Sequence, residues 1–146
     1  MATRTDGEHR YGSNHADLRD EVRAFSEARG YPAQHFADAA CRCGARRFRL
    51  SLDGVEGVAV RTCSSCGAIH PIGDSDEYMH DAELAECACP CGGEEFEIAV
   101  GVSLYEDSED IRWLYLGGRC TRCGMIAVYG DWKNEFIGYR ELLARV

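Results

Sequence analysis

Two cysteine-rich stretches of this chain carry the same residues in the same order, and that duplication narrows the folds open to it more than any other feature. Cys41-Arg-Cys43-Gly44 corresponds to Cys89-Pro-Cys91-Gly92, with Phe48 and Leu50 answered by Phe96 and Ile98. Cys63-Ser-Ser-Cys66-Gly67 corresponds to Cys120-Thr-Arg-Cys123-Gly124, with Ile69, Gly73 and Asp74 answered by Ile126, Gly130 and Asp131. Glu77, Tyr78 and Leu84 then match Glu135, Phe136 and Leu142. The spacing between copies grows only in loops, as expected of a doubled structural unit. The organisation read from this is a polar tail over 1–13, a helical leader over 14–40, copy one over 41–86 and copy two over 87–146.

Local patterns place the elements. Asn14 is a good N-cap, Leu18, Val22 and Phe25 form one apolar stripe, and Gly30 is placed to stop the chain, so a helix is expected over 15–29. Pro32 suits the first turn of a second short helix. Each copy reads as β-rich. Phe48, Leu50 and Leu52 alternate with polar residues before an Asp53-Gly54 turn, and Val58 and Val60 lead back to Cys63. In copy two, alternation from Phe96 to Leu104 is followed by an acidic loop from Glu106 to Asp110 and a return strand through Ile111, Trp113 and Tyr115. A third strand follows each second cysteine pair, clearest over 125–129, and a short helical tail closes each copy, over 77–86 and 135–145.

Nine cysteines are an odd number, and the N-terminal residues have no apolar stretch that would read as a secretory signal. A cytoplasmic protein is therefore expected, where thiols stay reduced and metal ligation is a stronger reading than a disulfide framework. Tetrahedral zinc takes four ligands, which sequences supply as two close pairs joined by a hairpin. Cys41/Cys43 and Cys63/Cys66 are separated by 19 residues, and Cys89/Cys91 and Cys120/Cys123 by 28, the excess being a longer hairpin. Gly44, Gly67, Gly92 and Gly124 each follow the second cysteine of a pair, where a turn around a metal asks for positive φ. Cys87 precedes Cys89 by two and could pair with it instead, but the repeat and Gly92 favour Cys89/Cys91, so Cys87 reads as a spare thiol; His70, four residues past Cys66, reads as a surface group beside a completed site.

With two knuckles ending in Cys-Gly at the ends of a β-hairpin, present twice, the sequence over about 41–136 resembles the zinc-ribbon superfamily. The first knuckle of each copy is CxC where that superfamily usually has CxxC. The resemblance implies two structural zinc ions per chain, one held by Cys41, Cys43, Cys63 and Cys66 and the other by Cys89, Cys91, Cys120 and Cys123. The fold class expected is a small, metal-stabilised α+β protein with N-terminal helices followed by two tandem β-rich zinc ribbons. Four thiolates saturate zinc and leave no position for substrate, while each copy, at about fifty residues, is small enough to need a staple. No phosphate-binding glycine loop, GxSxG elbow or HExxH helix is present, so no enzyme is expected. A rubredoxin-like iron electron carrier is a minor alternative for the same four-sulfur sets.

The formal net charge is −9, which weakens a nucleic-acid reading. The one concentration of cations is Arg42, Arg46, Arg47, Arg49 and Arg61 in copy one, and these would carry nucleic-acid contact in the runner-up reading, an accessory factor in transcription or translation. Copy two is acidic and aromatic, and Trp113, Tyr129, Trp132 and Phe136 are the expected protein contacts, with the loop 130–133 as the single best candidate; Trp113 or Tyr115 is expected to fill the hairpin core, and Trp132 reads equally as a small-core residue. The function expected is a non-catalytic zinc-binding adaptor that docks on a protein partner, with no membrane involvement.

Overall fold

The computed structural model describes residues 4–6, 9–134 and 136–146. The tail expected over 1–13 falls partly outside them, as does Glu135. In chain order the elements are β1 (Arg4–Asp6), β2 (His9–Tyr11), α1 (His15–Arg29), β3 (His35–Asp38), β4 (Phe48–Asp53), β5 (Val58–Cys63) and β6 (Ile69–Pro71). There follow a 3₁₀ turn (Ser75–Asp81), β7 (Ala85–Glu86), β8 (Phe96–Leu104), β9 (Ile111–Cys120), β10 (Met125–Lys133) and α2 (Tyr139–Leu143). No helix among the described residues is long and apolar enough to cross a membrane.

The strands of both copies belong to one antiparallel sheet, ordered β1-β2-β10-β9-β8-β4-β5-β6, with β3 also pairing β8 and β7 pairing β4. This overturns the expected class of N-terminal helices followed by two tandem zinc ribbons. The copies are fused edge to edge. The fusion runs through a single pair, Phe48 opposite Phe96, which are the same residue of the repeat. Antiparallel pairing of equivalent residues creates a local pseudo-two-fold, so the order of strands runs third, second, first of copy two and then first, second, third of copy one. Each copy has a first strand with an open edge, and the pair at Phe48 and Phe96 joins those edges at one end, leaving the rest to β3 and β7. Phe48 and Phe96 are wholly buried at the join.

The leader departs from expectation for the same reason. β8 has nine residues, but β4 reaches only Phe96, leaving most of that edge open. The segment after Pro32 fills it as strand β3, pairing His35–Asp38 with Ala99–Val102, instead of forming a second helix. Among the described residues α1 is the one helix before it, spanning His15–Arg29 with the Asn14 side chain accepting from the Asp17 N–H and Gly30 in the left-handed region.

Strand alternation divides the core between the two faces of the sheet. Ile98, Val100, Val102, Leu114 and Leu116 point to one face, with Phe48, Leu50, Trp132 and Leu142. Ala99, Tyr115 and Ile126 point to the other, where Leu18 and Val22 of α1 cover them. The helix sits close because two strand positions beneath it are glycine. A Cβ on Gly117 would lie 2.5 Å from Val22 Cγ2, and one on Gly101 would lie 3.0 Å from Val22 Cγ1. In β10 the register against β9 slips between Val128 and Gly130, leaving Tyr129 as a bulge residue. The slip changes the parity of the strand, so Trp132 joins the face of Met125 and Tyr129 and not that of Ile126.

Candidate metal centres

The four cysteines of each copy converge. Cys41, Cys43, Cys63 and Cys66 form one group and Cys89, Cys91, Cys120 and Cys123 the other, each with all its sulfurs within 4.8 Å of one another. Sulfur–sulfur separations are 3.6 Å for Cys41–Cys66 and Cys43–Cys63, 3.5 Å for Cys89–Cys123 and 3.6 Å for Cys91–Cys120. A disulfide requires about 2.05 Å. A regular tetrahedron with metal–sulfur bonds of about 2.3 Å has edges of about 3.8 Å. The spacing, and a donor set of four sulfurs, therefore fit a four-coordinate thiophilic metal ion at each centre.

The two centres are built by the same hydrogen bonds at equivalent positions. The Cys41 N–H donates to the Ala45 carbonyl and the Cys89 N–H to that of Gly93. The Gly44 and Gly92 N–H groups return to the carbonyls of Cys41 and Cys89, so the short CxC knuckle closes as a tight turn in both copies. In the second knuckles, the Gly67 and Gly124 N–H groups donate to the Cys63 and Cys120 carbonyls. All four glycines have φ between 77° and 92°, a region other residues enter at a cost. Backbone N–H groups also point at sulfur. Those of Cys66 and Ser65 hold the Cys63 thiol down at about 6, and that of Gly93, 3.4 Å from Cys91 Sγ, holds Cys91 at about 7. Preformed donors of this kind favour the thiolate, which is the ligating form.

The surroundings of the two centres differ. Next to the first, Arg61 is buried, lies 4.5 Å over the Phe48 ring, and donates to the backbone oxygens of Val146 and Ala40 at 3.0 and 3.3 Å. Burial depresses its pKa, and the neighbouring Cys41 and Cys63 sulfurs oppose that effect. The repeat equivalent of Arg61 is Gly118, and the space is taken by Tyr129, whose ring meets that of Phe96 edge-on at 5.0 Å. The Tyr129 hydroxyl is buried without a hydrogen-bond partner among the described residues, and burial followed by the Cys89 and Cys120 sulfurs raises its pKa. Cys87 is half-buried outside the second group, with its thiol pushed up to about 11 by burial. His70 turns away from sulfur, its Nε2–H donating to the Arg145 carbonyl at 2.6 Å.

The arginines named as nucleic-acid contacts do not form one free cationic face. Arg61 is in the core, and Arg49 pairs with Glu86 and Glu94 at 2.8 and 2.9 Å, leaving Arg42, Arg46 and Arg47 exposed. The four aromatic residues named as protein contacts are not gathered either. Trp113 lies on the helix-covered face and donates from Nε1 to Asp131 at 3.0 Å, while Tyr129, Trp132 and Phe136 pack against the opposite core. Trp132, expected on a contact loop, is only 8% exposed.

Sequence reasoning missed Arg61 as a neighbour of the first metal centre. The signal was available: Arg61 precedes Cys63 by two along β5 and so shares its face. It also missed the pairing of Asp74, one of the repeated Gly-Asp residues, with Asn134, whose amide donates to both carboxylate oxygens at 3.0 and 3.1 Å. Comparison with protein-family models, with curated proteins and with solved structures returns no match, so the reading of these sites rests on their own geometry.

Proposed function

We propose that this chain is a non-catalytic zinc-binding adaptor in which two structural zinc ions, one per four-cysteine group, hold together a sheet that presents a protein-docking surface. The observation that carries the metal assignment is the pair of four-sulfur groups with near-tetrahedral edges. Four thiolates close the coordination sphere, so the metal serves folding, to which zinc can contribute on the order of 10 kcal/mol at each site. The docking half of the reading is supported by exposed apolar side chains around one end of the sheet, where Val55 is 95%, Ile137 79% and Tyr78 47% exposed. The engagement of Arg49 and Arg61, together with the net charge of −9, speaks against the nucleic-acid alternative.

Native mass spectrometry of the full chain purified gently from its own host tests both halves. Two zinc ions and a stoichiometric protein are expected, with retention of that protein lost on Ile137→Asp and unaffected by charge reversal at Arg46 and Arg47. Iron, or a metal count other than two, would overturn the metal assignment. Two zinc ions with bound RNA or DNA, released steeply by salt, would overturn the adaptor in favour of the accessory factor.

A further inference from the structure

A cavity of about 490 Å³ opens between the two copies at the end of the sheet where Ile137 and Tyr78 are exposed. Its walls come from the β4–β5 turn and the 3₁₀ turn of copy one and from the end of β10 with the loop after it in copy two. Its volume is that of a site for one side chain or small ligand. Three carboxylates line it, those of Glu56, Asp74 and Glu77, together with the aromatic rings of Tyr78, Trp132 and Phe136.

Two observations indicate what such a cavity takes. Asp74 is only 7% exposed, and the side-chain hydrogen bonds to its carboxylate come from the neutral Asn134 amide. Burial, and after it the nearby Glu77 and Asp76 carboxylates, raise its pKa, the condition of a carboxylate to which an approaching cation is worth most. On the same wall the indole Nε1–H of Trp132 is buried with no acceptor among the described residues, and Gly57 packs close beside it, where a Cβ would lie 3.0 Å from Cδ1 and 3.2 Å from Nε1. Carboxylates combined with aromatic faces bind organic cations, and an orphaned N–H asks for a carbonyl alongside. A main chain bearing a basic side chain supplies both.

We infer that this cavity binds an arginine or lysine side chain of a protein partner, with its cationic end against Asp74 and Glu77 between the Trp132 and Tyr78 rings. The inference rests on the adaptor reading and sharpens it by naming what the partner presents. Lys133, the chain's one lysine, also lines the cavity, so an incoming cation works against one resident positive charge.

The test follows the two indole N–H resonances of the zinc-loaded full chain by heteronuclear NMR, assigned with Trp113→Phe. The probes are the N-acetyl methylamides of arginine, lysine and norleucine, the last a neutral side chain of similar length, and putrescine as a free diamine. Saturable movement of the Trp132 signal with the arginine or lysine amide, and not with norleucine, is expected. Glu77→Gln, at an exposed position, should weaken binding about twofold to fivefold, and Lys133→Met should tighten it. Asp74→Asn should abolish it, and if that variant unfolds the other two still decide. An equal response to norleucine, no response to any probe, or tighter binding of putrescine than of either amide would overturn the inference. Retention of the partner by Glu77→Gln and Asp74→Asn chains that still carry two zinc ions would sink it while leaving the adaptor standing. Loss of the adaptor itself would show as no partner in any chain.

Discussion

The two halves of this protein share a cysteine scaffold and differ in everything packed on it. In copy one the hairpin strands β4 and β5 are six residues each, whereas β8 and β9 of copy two have nine and ten. The longer strands support α1 on one face, and a glycine admits it: Gly117 stands where copy one has Val60. Copy one has two exposed ligands, Cys43 and Cys66, against Cys91 alone in copy two, and it has a buried guanidinium beside them. With zinc bound as proposed, four thiolates would bring a formal charge of −2, and a buried cation nearby would lower the cost of holding that charge in a sheet edge. Copy two would meet the same charge with a neutral phenol and deeper burial. Duplication thus preserved the ligand geometry and left the outer shell free to diverge.

The largest expected effect follows from the unequal burial. Cys120 is wholly buried between the Phe96 strand and β10, so Cys120→Ser should lose one zinc ion and with it cooperative folding of the chain. Cys66→Ser, at an exposed position of the shorter hairpin, should also lose one zinc ion but leave the β8–β10 sheet and α1 protected. Zinc counting and amide hydrogen exchange on the two variants check this, and equal loss of protection would mean that the halves fold as one indivisible unit.

Next in size is the helix seat. Gly117→Val, which installs the residue of copy one, places carbon where Val22 already stands and should cost about 1–3 kcal/mol or more in urea unfolding, because the core cannot yield that space. A neutral result would show that α1 is not held against the sheet as described.

The outer shells predict smaller and site-specific changes. Arg61→Met should speed zinc transfer from one site to a chromogenic chelator by about tenfold and leave the other rate unchanged. Tyr129→Phe should act at the other site alone and alter stability by no more than about 1–2 kcal/mol, since the hydroxyl it removes has no partner. Should both variants accelerate the same kinetic phase, the assignment of one residue to each centre fails.

The smallest effect concerns Cys87. In the zinc-loaded chain it is the one cysteine outside the metal groups, so iodoacetamide should modify one residue per chain. Burial raises its pKa to about 11, which keeps it a neutral thiol at pH 7.5, and its alkylation rate should rise about tenfold per pH unit from 7 toward 9. Fast alkylation at neutral pH would place Cys87 in open solvent.

Much of the candidate site was legible in the residues because it is local. Close cysteine pairs followed by glycine specify a knuckle within five residues, and repetition of the motif with its Phe and Ile neighbours specifies the hairpin joining the pairs. The ends of α1 were equally legible, since Asn14 and Gly30 act within one turn of themselves. Other expectations failed at positions where a partner distant in the chain decides. Pro32 reads as a helix start, but an open edge on β8, some seventy residues on, offered the following residues more hydrogen bonds as a strand. Trp132 reads equally as a contact-loop or a core residue, and the Tyr129 bulge decides for the core, while Arg61 reads as a solvent-facing cation until two distant carbonyls and the Phe48 ring hold it.

By itself the sequence determined the eight candidate ligands, their division into two groups, the knuckle turns and the first helix, all of which depend on interactions across a few residues or on a repeated pattern. The tertiary structure alone decided that the copies fuse through Phe48 and Phe96 into one sheet, that β3 completes it, and that Arg61 leaves the other arginines for the core. The physical reason is that strand edges are interchangeable at the level of sequence: every extended segment carries the same backbone donors and acceptors, and which edges meet is settled by the burial that follows when they do.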